Sequence, residues 1–120
     1  MWFAERPAFI TEADHAALLA NGHRTAGGEN IDPLPVVKLF TPDAGATWLL
    51  TEIDPDDEDL AFGLCDLGLN CPELGSVRLS ELDALHGRLG LPVERDEYFK
   101  ADKSLWAYTE EARAAGYIKA

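Results

Sequence analysis

The chain is short of basic residues. Lys and Arg number 10 against 22 Asp and Glu, giving a formal charge of −12 over 120 residues. Such a surplus repels phosphate, so direct nucleic-acid binding and attachment to anionic membranes are both disfavoured. It suits solubility and a partner with a basic surface. Long apolar runs are also missing; none approaches the roughly 20 residues that a membrane helix needs. The first residues, MWFAERPAF, carry an acid early and contain no signal-peptide core, so a cytoplasmic protein is expected. Cysteine is scarce. Cys65 and Cys71 are six apart, with no second Cys or His pair at zinc-finger distance, so a buried core thiol at Cys65 is expected rather than a metal site or disulfide. The sequence has no Gly-x-Ser-x-Gly, His-Glu-x-x-His or Walker loop, and its three histidines are far apart. No catalytic residue, metal ligand or cofactor is assigned.

What is present fits one α+β domain, residues 1–120 with a core over 9–115. An antiparallel sheet of about four strands is expected, with the N- and C-terminal helices packed on one face. Residues 9–22 read as a helix, with Thr11 and Asp14 forming a capping box and Asn21-Gly22 ending it. Residues 23–35 are turn-rich, and their order is open. Val36–Phe40 and Thr47–Ile53 alternate as strands around a Pro42–Gly45 turn, which makes a hairpin. Leu60–Leu67 is a third strand, with small side chains at Ala61, Gly63 and Cys65 on one face. Ser76–Leu79 is a fourth. Ser80 then opens a brief helix with Asp83 as its capping acid. Residues 93–99 read as extended or irregular, and a final helix from Leu105 to Ala115 starts at Ser104 and stops at Gly116.

Several pieces carry a family resemblance. They are PVVKLFTPDAGATWLLTE, the acidic turn with FGLCDLG, and SELDALHGRLGLPVERDEYF. Together they resemble the DUF2958 family over roughly Thr11 to Tyr108. The resemblance implies a small bacterial protein often encoded on plasmids and integrative elements. It implies no catalytic residue. His86 stands where relatives are expected to carry Arg.

Two groups are candidates for a site. The first is Lys38, Trp48, Glu52, Arg78, Glu94 and Arg95, polar or aromatic residues set among apolar ones. If they converged, Arg95 would grip a carboxylate or phosphate with two prongs, Glu52 would be a base, and Trp48 would wall it from the same strand face. The alternatives are charges facing solvent and an ion-paired network. The second group is the run Asp54, Asp56, Asp57, Glu58 and Asp59, which with Glu52 makes six acids in eight residues. It reads as a solvated connection, a surface for a basic partner, or a hard-cation site, although Asp59 and Cys65 stand where an EF-hand needs Gly and Glu. Three functions follow: a protein-binding accessory module, an acidic mimic of nucleic acid, and a small metal-assisted enzyme. Trp2, Phe3, Phe9, Tyr117 and Ile118 either dock on the core of a monomer or seal a homodimer.

Overall fold

A computed structural model describes residues 6–120; Trp2 and Phe3 lie outside the described residues. The elements in order are α1 (Glu12–Ala26), β1 (Val37–Phe40), β2 (Thr47–Asp54), β3 (Asp57–Asp66), β4 (Glu73–Arg78), α2 (Leu79–Ala84), β5 (Glu94–Arg95) and α3 (Leu105–Ala115). The five strands form one sheet in the order β4-β3-β2-β1-β5, antiparallel throughout. The α+β class holds. The fifth strand, absent from the sequence expectation, is two charged residues at the edge.

The helices do not share a face, which corrects the expected arrangement. Trp48 and Leu50 pack with Leu18 of α1 and with Leu79 and Leu82 of α2. Leu49, between them on β2, packs instead with Leu64 and with Leu105, Tyr108 and Ala112 of α3. Successive strand side chains point to opposite faces, so β2, buried on both, needs a cover on each. Here α1 and α2 cover the first face and α3 covers the second. Phe9 and Ile118 are buried in the two layers, while Tyr117 is exposed.

Local chemistry explains the element ends. The Thr11–Asp14 capping box is present, each side chain accepting the other's amide. Yet α1 runs past Asn21-Gly22 to Ala26. Gly22 allows a close contact instead: a Cβ there would sit 1.8 Å from the Ile53 carbonyl oxygen. β1 pairs with β2 only as far as Leu50, so residues 51–54 of β2 are open on that side. The helix fills the gap, and Asn21 donates to the Thr51 carbonyl at 2.9 Å. α2 begins at Leu79, not with Ser80 as its cap. Its cap comes from β3, where Asp59 accepts the Ser80 amide at 2.8 Å and hydroxyl at 2.7 Å. The 27–36 segment is pinned to the start of α3, with Leu105 N–H donating to the Pro33 carbonyl and Trp106 N–H to Asp32.

Candidate functional site

The decisive local feature is a bulge in β2. Leu50 stands opposite Gly63, but Glu52 stands opposite Phe62, so Thr51 is the extra residue. The bulge reverses the facing expected for Glu52. It shares a face with Phe62 and not with Trp48, which is buried on the other side in the α1 layer. Gly63 belongs to the same irregularity: a Cβ there would meet the Leu49 oxygen at 2.0 Å.

The first group of candidates is not brought together. Arg95 lies across from Leu39 on the α1 face, where it pairs with Asp14 and donates to the Phe9 carbonyl at 2.9 Å. Burial works to raise the Asp14 pKa, but the hydrogen bonds from Arg95 and from the Thr11 amide outweigh it and hold it below the ordinary aspartate value. Lys38 is on the α3 face, 3.2 Å from Asp96, and donates to the Ala120 carbonyl at 2.6 Å. Arg78 bonds Asp57 at 3.0 Å, which raises its pKa. Glu94 is exposed beside Phe40 at the far edge. Each pair therefore ties one element to another, and the spacing leaves no common pocket.

The acidic run is mostly absorbed into the hairpin between β2 and β3. Asp54 accepts the Asp56 amide, an Asx turn over Pro55-Asp56. Asp57 holds Arg78, Glu58 holds His15 at 2.8 Å, and buried Asp59 caps α2. Only Asp56 of the run is exposed. Among the described residues no three His, Cys, Asp or Glu side chains gather as metal ligands would.

Glu52 is different. It lines a cavity of about 330 Å³ between the end of α1 and the hairpin, with Thr25 and Ala26 on one wall and Asp54, Pro55, Leu60, Phe62 and Ser76 on the others. The lining is chiefly apolar and holds two carboxylates and no Lys, Arg or His. Burial raises the Glu52 pKa against the lowering effect of the Thr25 hydroxyl, which donates at 3.2 Å; Asp54 raises it further. Phe62 also lines a second hollow of about 300 Å³ with Ile31, Leu74, Leu105 and Trp106. Trp106 is 46% exposed there. Sequence reasoning singled out Glu52 but missed Phe62, which reads as a strand-face aromatic beside Leu60 and Leu64, and it set Trp106 to one side of the last helix's apolar face without giving it a role. That offset is the signal that sets Trp106 apart from the core.

Neither a curated protein nor a solved structure matches the chain. The family model described as protein of unknown function DUF2958 matches residues 9–119. The chain, so matched over nearly its whole length, belongs to the DUF2958 family.

Proposed function

We propose that this protein is a small non-enzymatic binding module, an accessory protein of bacterial mobile genetic elements that acts in the cytoplasm as a monomer or homodimer. Its partner is a protein with a basic surface, met on the face that carries Glu52. One observation supports the reading above the others: the apolar cavity at Glu52 holds carboxylates with no cation beside them. Most of the other charges singled out in the sequence bind the fold to itself, as Arg95 does to Asp14 and Asp59 to α2, while Asp56 and Glu94 are exposed outside the cavity. The net charge of −12 would speed approach of a basic partner.

The test is a comparative capture from the host lysate with the wild type and with Glu52→Arg. A basic protein held by the wild type, lost by E52R, and rebound when purified would support the reading. A capture profile that E52R leaves unchanged would overturn it. Recovery of a nuclease displaced by DNA would favour the mimic instead.

A further inference from the structure

The cavity at Glu52 has a shape and chemistry that narrow the partner group. Glu52 and Phe62 are directly opposite each other across β2 and β3, on one face. Opposed residues of an antiparallel pair have Cβ atoms about 5 Å apart. A carboxylate thus stands beside an aromatic ring, with Leu60 next along the same face of β3 and Ser76 opposite Phe62 on β4. An apolar floor, a flat ring and a half-buried anion together suit an amphipathic cation. The guanidinium group meets all three demands. It is planar, it is weakly hydrated, it stacks on rings, and its fork matches a carboxylate. Ammonium is a strongly hydrated point charge and gains less on a ring-lined floor.

Building on the binding-module reading, we propose that this cavity is the seat of an arginine side chain from the partner protein. Its methylenes lie on Leu60 and Pro55, its guanidinium stacks on Phe62, and its N–H groups donate to Glu52, with Asp54 at the rim. The site continues. Past Phe62 lies the hollow walled by Ile31, Leu74 and Trp106. Asn30 and Asp32 also line it, but its wall of Ile31, Leu74, Leu105 and Trp106 fits a neighbouring apolar residue of the same polypeptide, which favours a protein arginine over a free small molecule. Charge complementarity sets the sign of the occupant: an anion would face two carboxylates, and a neutral apolar group would bury Glu52 with the Thr25 hydroxyl but no countercharge.

The test is an NMR titration of the full chain with N-acetyl-L-arginine amide and, separately, with N-acetyl-L-citrulline amide, its neutral isostere. Saturable shifts at Thr25, Glu52, Phe62 and Ser76 are expected with the arginine compound, at least tenfold weaker with citrulline. Glu52→Gln should weaken the arginine response at least tenfold while its melting temperature does not fall. A tripeptide with leucine beside the arginine should bind more tightly than the amide alone. Absence of saturable shifts, equal responses to citrulline, or an unaltered response in E52Q would each overturn the arginine site. Equal affinity of tripeptide and amide would overturn the extension across Phe62. The two readings fail separately. A purified partner that still binds E52Q, with no arginine response in the wild type, removes this pocket and leaves the binding module standing. An intact titration with no basic partner captured keeps the pocket and counts against the module.

Discussion

Replacing Gly22 with Ala sets helix propensity against packing, and the structure says which prevails. In the interior of an exposed helix the change gains about 1 kcal/mol. Here the new Cβ would lie 1.8 Å from the Ile53 oxygen, 3.0 Å from its carbonyl carbon and 3.3 Å from Pro55 Cδ. Ordinary carbon contacts begin near 3.5 Å, so α1 must withdraw by roughly 1.5 Å from the open edge of β2. That motion stretches the 2.9 Å bond from Asn21 to the Thr51 carbonyl, a loss of about 1 kcal/mol. It also loosens Leu18, which is fully buried, and overpacking against backbone costs about 1–3 kcal/mol in its own right. Set against the propensity gain, the net expectation is a loss of about 1–3 kcal/mol. For a domain of this size that is on the order of 10 °C in melting temperature. Urea denaturation should show a lower midpoint with the slope unchanged. Gly75→Ala is the control, since a Cβ there has nothing within 4 Å; it should stay within about 0.5 kcal/mol of the wild type. A G22A chain as stable as the wild type, or more so, would refute the placement of α1 on the strand edge.

Four further outcomes are expected. Asp59→Ala strips the cap from α2 and leaves the Ser80 amide without its partner, so it should cost about 1–3 kcal/mol in a denaturation experiment. Arg95→Met leaves the buried Asp14 without its ion-pair partner; because the Thr11 amide still bonds the carboxylate, a loss of about 2 kcal/mol is expected, below the 3–5 kcal/mol for a buried charge left with no partner, and a double-mutant cycle with Asp14→Asn should show strong coupling. Because the Asp14 pKa is lowered in the fold, the stability it adds is present above the ordinary aspartate value and fades as pH falls through its folded value. D14N and wild type should therefore converge in acid. Glu52 has the opposite sign. Its folded pKa is raised, so wild-type stability declines as pH rises from the ordinary glutamate value through the folded one; E52Q should melt higher than the wild type at neutral pH and equal it in acid.

Much of the sheet was legible because its signals are local. Alternation marked β1 and β2, and small residues on one face marked β3. The final helix was bounded by Ser104 and Gly116, both of which perform as caps. The misses share a cause: each depends on what arrives from far along the chain. Gly22 looks like a helix stop until β2 is seen against it. Ser80 looks like a cap until Asp59 supplies one. The bulge at Thr51 leaves no trace in TWLLTEI, yet it moves Glu52 to the other side of the sheet from Trp48. The acidic run read as a solvated surface because its partners, His15, Arg78 and Ser80, come from three different elements. Apolar residues at both odd and even positions of β2 were the hint that helices cover both faces.

The central claim is that Glu52 is a partly desolvated carboxylate open to a cation. The most direct measurement is the carboxyl titration of Glu52 by NMR, without and with saturating N-acetyl-L-arginine amide. The account predicts a midpoint above the ordinary glutamate value for the protein alone, falling when the arginine compound binds. A midpoint at or below the ordinary value in the free protein, unmoved by the ligand, would contradict it.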